Sequence, residues 1–408
     1  MRIAYVCSDF GVPIAGTKGA SAHVRELTSA FAELGHEVQI FTPRAGGSPP
    51  PGFRVPVREL APEGYDALTY DLLRKDTPFW AELRGALHAG VLHHRALPLL
   101  RELRPQLIYE RLSLFGTAGA ALARDLNVPL VLEVNAPLSD EQARHRTLTF
   151  TRTAREIERR VLQAAAMVIT VSPELERWAI RAGVAPERVQ TVPNGVRSER
   201  FGAAAGEREA VRETLGLSGR PVVGFVGTLK PWHDTETLVR AVAALRRRGS
   251  DAVLLVVGDG PGRAGIEALA ASEGIGDSTL LAGPVSSDRI PGLLAAMDVA
   301  VAPYAAAEPF YFSPLKLFEY LAAGVPVVAA AVGEIPECIR PWRTGLLYRP
   351  GDVSALAEAM GALLADPARA CLLGARGREH AQRHHSWRRN AERILELACA
   401  SPELRIAS

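Results

Sequence analysis

The sequence predicts an α/β protein made of two doubly wound parallel sheets facing each other across a cleft. Three observations predict it. Short apolar runs alternate with amphipathic stretches along the whole chain, the alternation breaks near residues 193–220 and restarts, and 408 residues suit two cores better than one. The domains are expected at 1–200 and 201–386, with a final helix at about 387–400 that could cross back to the first.

In the first half, strands are expected at residues 2–7, 38–42, 107–109, 130–134, 167–171 and 189–192. The first is followed by a helix from about residue 20 to 34, ended by Gly35. Residues 45–53, rich in Gly and Pro, read as a flexible loop. After the turn Pro193-Asn194-Gly195, strands resume at 221–226, 252–257, 279–281, 299–302 and 326–329. In such sheets ligands bind beyond the carboxyl ends of the strands, so the loops there are the place to look for chemistry.

The loop at residues 8–19 is longer than the usual two to six residues and opens directly into a helix, whose unpaired amides attract anions. Gly16 and Gly19 would let its backbone approach a phosphate, and Lys18 adds a mobile cation. Gly227, Thr228, Lys230 and His233 close the first strand of the second half, placing one certain and one potential cation where a diphosphate would lie. Gly260-Pro261-Gly262-Arg263-Ala264-Gly265 matches a dinucleotide fingerprint. It follows the second strand of its domain rather than the first, and Pro261 removes a backbone donor, so NAD binding is not expected.

The segment 308–328 is the most informative. Ser313 is expected to cap a helix with Pro314 at its first position, so that Ser313 and the opening amides face an anion. Lys316 in the first turn opposes the helix dipole, an arrangement that suits a functional cation. Glu319, one turn on, can accept bonds from two vicinal ribose hydroxyls.

Several classes are excluded or set aside. A formal charge of +2 gives no global case for nucleic acid. Cys7, Cys338, Cys371 and Cys399 lie far apart without a Cys-x-x-Cys, which argues for free thiols in a reducing compartment. The N-terminus runs straight into a strand, and no apolar run approaches the roughly 18 residues of a membrane span. A cytoplasmic protein is expected. The basic stretches from His93 to Arg104 and from Arg376 to Arg393 leave peripheral contact with anionic lipid open.

Taken in order, Gly16 to His23, Leu34-Gly35-His36-Glu37-Val38, Val192-Pro193-Asn194-Gly195-Val196, Gly224 to Leu229, Val257-Gly258-Asp259-Gly260-Pro261, Leu281-Ala282-Gly283, Asp298 to Pro303, Ser313 to Val328 and Thr344 to Leu347 resemble the retaining glycosyltransferases of family 4. The resemblance implies the GT-B architecture, two facing Rossmann-like domains with an interdomain cleft. It implies transfer of a sugar from a nucleotide diphosphate, with uridine the favoured base, to an acceptor hydroxyl. Glu319 matches the second acid of the family's Glu-x7-Glu motif and would hold the ribose. Gly283, Pro284 and Val285 would meet the nucleobase, and Phe312, Ser313, Pro314 and Leu315 the diphosphate and donor sugar. Gly258 falls in a matching donor-side loop, and Gly19 matches the glycine that approaches the donor phosphates.

The departures are specific. Tyr311 replaces the first acid of that motif, with Glu308 close by. Thr228 and His233 stand for the family's Arg and Lys, and Lys230 is an added cation. Asn135 replaces a frequent His and is flanked by Glu133. The pattern Ser313-Pro314-Leu315-Lys316 resembles a variant branch of the family, which implies Lys316 as a replacement phosphate cation.

The expected reaction needs no cofactor and no metal ligands, and no Asp-x-Asp motif occurs. Lys230, Lys316 and His233 with the helix amides would stabilise charge on the departing diphosphate. The donor phosphate itself would take the acceptor's proton. Asn135 and Glu133 would orient sugar or acceptor, and Glu110 and Arg111 are acceptor-side candidates or a surface ion pair. The partners expected are the nucleotide sugar and a small-molecule, glycan or lipid acceptor. A nucleotide-sugar epimerase or phosphorylase, and a non-catalytic nucleotide- or sugar-binding protein, are the alternatives.

Overall fold

The computed structural model describes residues 1–64, 67–68, 77–306 and 310–400. They form two compact units, Met1–Asn194 together with the segment from Trp387 onward, and Gly195–Ser386.

The first unit holds seven parallel strands: β1 Arg2–Cys7, β2 Glu37–Thr42, β3 Val57–Glu59, β4 Leu107–Arg111, β5 Leu130–Val134, β6 Met167–Thr170 and β7 Val189–Thr191. Their order is β3-β2-β1-β4-β5-β6-β7. Helices cover both faces of such a sheet, so its strands read as unbroken apolar runs, as in the fully buried β6. The helix Gly19–Glu33 buries Val24, Leu27 and Phe31 on one stripe. Gly35, at φ +85°, ends it. Against this helix packs Trp387–Ala400, which belongs to the first unit although it follows the second in sequence.

The second unit holds six parallel strands: β8 Val222–Val226, β9 Val253–Val257, β10 Thr279–Gly283, β11 Val299–Ala302, β12 Val327–Ala330 and β13 Leu346–Tyr348, in the order β10-β9-β8-β11-β12-β13. In both sheets the winding direction reverses beside a central strand, at β1/β4 and at β8/β11. Loops leaving those two pairs diverge and open a crevice at the carboxyl edge.

Two strands differ from expectation by their presence. β3 and β13 are three-residue edge strands, too short to show a periodicity, and β3 is largely exposed. β4 runs two residues further than expected and so carries Glu110 and Arg111 itself. β10 likewise reaches Gly283, across an irregularity in its register with β9. Residues 45–53 have no helix or strand; the Ala45 amide donates to Glu59 at 2.9 Å and the Ala45 carbonyl accepts from Ala15 at 2.8 Å. Glu308 lies outside the described residues. Cys7 and Cys338 are buried free thiols, and Cys371 and Cys399 exposed ones. Among the described residues no helix is long and apolar enough to cross a membrane.

Candidate active site

At the carboxyl edge of the second sheet, three loops are stitched together through glycines. The Gly227 amide donates to the Val257 carbonyl at 2.9 Å, and the Gly258 amide to the Gly283 carbonyl at 2.9 Å. Gly258 has φ +131°, and a Cβ there would lie 2.0 Å from the Gly227 carbonyl oxygen. The fingerprint-like glycines that follow have a structural reason. A Cβ on Gly260 would sit 2.7 Å from the backbone of Leu229, and the Gly262 amide donates to the Leu229 carbonyl at 3.0 Å. They let the β9 loop lie against the β8 loop.

Lys316 points into this arrangement from the helix Leu315–Ala323, which begins beyond β11. Its ammonium lies 4.4 Å from the ring centre of Phe225 and 5.1 Å from that of Tyr304. A Cβ on Gly227 would come within 2.9 Å of Nζ, so this glycine keeps the ammonium's place open. The side chain is buried, and Nζ has no hydrogen-bond partner among the described residues. Burial drives its pKa well below that of an exposed lysine, and the negative charge of Glu319 opposes the shift only in part. A buried ammonium with no partner is costly, and an anion at Nζ would remove the cost.

His233 does not add a second charge. Burial, then the neighbouring Lys316, hold its pKa down to about 3 against a small opposing pull from the Thr228 carbonyl. Its Nδ1 lies 2.5 Å from that carbonyl, which can only accept, so Nδ1 carries the proton. His233, a potential cation by sequence, is therefore neutral: burial and then Lys316 hold it so, with Nε2 as an acceptor. Lys230 lies 5.7 Å over the Trp232 ring, and Trp232 stacks on Phe312 at 6.1 Å and 17°. The β8 loop thus brings Lys230 to the same residues 310–316 that lead into Lys316.

Two details of that segment differ from expectation. The helix starts at Leu315 with Pro314 in the capping position, and no side chain caps it. Ser313 is buried and hydrogen-bonds the carboxyl of Glu334 instead, so it is not the cap. Tyr311 is also buried, its ring tilted against Phe312 at 4.4 Å. Glu319 is half-buried one turn below Lys316. At the rim of the loops Thr228 and Pro284 are exposed and Val285 half-buried. Sequence reasoning missed Glu334; its signal was a carboxylate four residues after the apolar run of β12.

In the first unit the ends of β4 and β5 meet at Glu133. Its Oε2 accepts from the Tyr109 hydroxyl at 2.7 Å, and its Oε1 from Arg111 at 3.0 Å and from Asn135 at 2.5 Å. His23 Nε2 lies 2.9 Å from the same oxygen, His23 Nδ1 lies 2.8 Å from Asn194 Oδ1, and the His23 ring stands edge-on to Trp387. Burial raises the Glu133 pKa, but His23, Arg111 and Tyr109 outweigh it and bring the carboxyl down to about 2. Glu133 is 1 % exposed, and its carboxylate fixes the side chains around it. Asn135 and Arg111, both half-buried, are what it presents.

Glu110 and Arg111 do not pair. Neighbours along a strand face opposite sides. Arg111 turns to Glu133, while Glu110 is buried beside the helix Ala118–Leu126. It accepts from the Gly119 amide at 3.1 Å and from the Ser8 hydroxyl at 3.3 Å. Burial raises its pKa to about 7, and among the described residues no cation compensates it. The surface ion pair between Glu110 and Arg111 is corrected: Glu110 is buried and Arg111 pairs with Glu133 instead. In the long β1 loop, Gly16 makes a tight turn on Pro13, and Arg25 ties the Ile14 and Gly16 carbonyls at 2.5 and 2.7 Å. Gly19, exposed, is the first residue of its helix. Among the described residues no three His, Cys, Asp or Glu side chains converge as a metal site.

Comparison with known proteins places both halves. Residues 17–200 match the Glycosyltransferase Family 4 profile, and residues 220–366 match Glycosyl transferases group 1. The chain is 32% identical to a D-inositol 3-phosphate glycosyltransferase of Nocardia farcinica over 94% of its own length and 85% of that protein. It is 32% identical to a GDP-mannose-dependent alpha-(1-6)-phosphatidylinositol monomannoside mannosyltransferase of Mycolicibacterium smegmatis, over 59% of this chain and 64% of that one. Among solved structures, Anabaena HepE in complex with UDP superposes with a TM-score of 0.72 at 20% identity, covering 97% of this chain and 99% of HepE. That likeness is one of fold, GT-B.

Proposed function

The chain belongs to glycosyltransferase family 4, and on that premise we propose that it moves a hexosyl residue from a UDP-sugar to an acceptor hydroxyl with retention at the anomeric carbon. The observation that carries the donor assignment is the buried, unpartnered ammonium of Lys316 beside Gly227. The two residues lie at the carboxyl edge of the central strands β8 and β11.

In this reading the diphosphate lies against Lys316 and the first amides of the helix Leu315–Ala323, with Lys230 as the outer cation. Glu319 receives the ribose hydroxyls. The Gly283-Pro284-Val285 backbone faces the base. The acceptor oxygen bonds to the anomeric carbon while the bond from that carbon to the phosphate oxygen breaks. The electron pair leaves with the diphosphate, and the hydroxyl proton passes to a phosphate oxygen on the same face. Charge grows on the leaving group at the moment Lys316 can neutralise it, which is the form of catalysis this site can supply without a divalent ion. Asn135 and Arg111, held by Glu133, are the acceptor-side contacts proposed. The acceptor is a small-molecule, glycan or lipid hydroxyl, and a reducing cytoplasmic setting suits four free cysteines. Uridine is chosen over guanosine on the family resemblance, with the UDP complex of HepE in support.

The test is calorimetric titration of wild type and Lys316→Met with UDP, GDP, ADP and the parent nucleosides. Methionine keeps the apolar stem against Phe225 and Tyr304 while deleting the charge. We expect wild type to prefer UDP and Lys316→Met to lose at least tenfold in UDP affinity with uridine binding unchanged. The unliganded variant should melt no lower than wild type, since a costly buried charge is gone. Equal UDP affinity in the two proteins would remove the diphosphate from this site.

A further inference from the structure

Glu334 follows β12, whose neighbour in the sheet is β11, so the loops after the two strands leave the same edge side by side. A Cβ on Gly333 would meet the Phe310 ring at 2.1 Å, which shows how closely the turn Val332-Gly333-Glu334 is pressed on residues 310–313. The Glu334 side chain does not cap the short helix Ile335–Cys338 that it precedes. It turns across to the other loop, where the Ser313 hydroxyl donates to it.

The carboxyl is 7 % exposed, and its Oε1 has no partner among the described residues. It is not the counter-ion of Lys316, whose charge is supported by Glu319. Eight residues before Glu319, where the resemblance leads one to expect an acid, Tyr311 is packed on Phe312. The loop that should carry a carboxylate therefore carries none at that position, and the adjoining loop supplies one beside Ser313.

We propose that Glu334 is the donor-sugar contact of this protein: its open carboxyl oxygen takes a hydroxyl of the transferred sugar, in place of the acid absent at position 311. This rests on the donor site proposed above and adds which residue reads the sugar. A phosphate would be repelled by a carboxylate with Glu337 near it, and among the described residues no three ligating side chains converge here as a metal site, so a neutral hydroxyl is the chemistry that fits. Burial lifts the carboxyl to about 7, against the Ser313 hydrogen bond, and a partly protonated carboxyl can both donate to and accept from a sugar hydroxyl.

The experiment measures Kd by calorimetry for UDP, UDP-glucose, UDP-N-acetylglucosamine, GDP and GDP-mannose on wild type, Glu334→Gln and Glu334→Ala, with thermal melts beside them. The quantity read is the ratio of the sugar-nucleotide Kd to that of its nucleoside diphosphate. We expect Glu334→Ala to raise that ratio at least fivefold for the preferred donor, Glu334→Gln to raise it less, and both to bind the diphosphate within twofold of wild type. Glutamine keeps the size and one hydrogen-bond acceptor, so its fold should survive even where alanine loosens the turn. An unchanged ratio in Glu334→Gln and in any folded Glu334→Ala overturns the inference and leaves the donor site standing. Equal losses for diphosphate and sugar nucleotide also overturn it, because Glu334 would then act on the nucleotide or the fold. Wild type that binds no nucleoside diphosphate fails the donor site itself, and the inference with it.

Discussion

Glu110 and Glu133 are buried carboxyls at the ends of adjacent strands, yet they sit in opposite states. Glu133 has His23 and Arg111 beside it and stays ionised; burial pushes Glu110 up to about 7, with one amide, one hydroxyl and, among the described residues, no cation beside it. Between pH 4.5 and about 7 the folded protein therefore holds a proton on Glu110 that the unfolded chain has released. Stability from this group is complete below pH 4.5 and is lost as pH rises through about 7, a term of about 3 kcal/mol. Glu110→Gln should flatten that slope and melt higher than wild type at pH 8, with little gain at pH 5. Melting curves across pH 5–8 decide it, and parallel profiles for the two proteins would contradict the assignment. The sequence showed carboxylates and an arginine at these strand ends, but not their pairing. Arg111 finds Glu133, 22 positions away, because its neighbour Glu110 faces the other side of the sheet.

Among elements, the stitched loops after β8, β9 and β10 hold the donor side in shape. Gly258→Ala would place a methyl group 2.0 Å from the Gly227 carbonyl and force an alanine toward φ +131°. We expect a drop of several degrees in melting temperature and at least a tenfold loss of nucleoside diphosphate affinity. Wild-type affinity in a folded Gly258→Ala protein would show that these loops do not shape the site. The long buried strands were legible because each shows an apolar run bounded by turn residues, whereas β3 and β13 leave only three residues each to read. Lys316 was legible as a cation set against the helix dipole. Ser313 was misread because local capping rules cannot see a carboxyl arriving from 21 residues further along, and Glu334 was missed for the same reason. The sequence leaves the charge of His233 open because it depends on burial and on Lys316, neither of which has a local signature.

At the scale of the molecule, the chain leaves its first unit at Asn194 and rejoins it at Trp387. Trp387 then packs on His23, and Asn390 donates to the Pro193 carbonyl at 2.6 Å, so the returning helix lines the ground on which Glu133 is held. Trp387→Ala should speed amide exchange in the helix Gly19–Glu33 while leaving UDP affinity within twofold. Undisturbed exchange there would show that the tryptophan is not what secures it. The return also sets an order of assembly on the ribosome. Every strand of the Gly195–Ser386 unit has been synthesised before residue 387 emerges, so the later-encoded unit can finish folding while the earlier one still waits for its closing helix. For as long as the nascent tail is inside the exit tunnel, the surface of the helix Gly19–Glu33 meant for it stays uncovered.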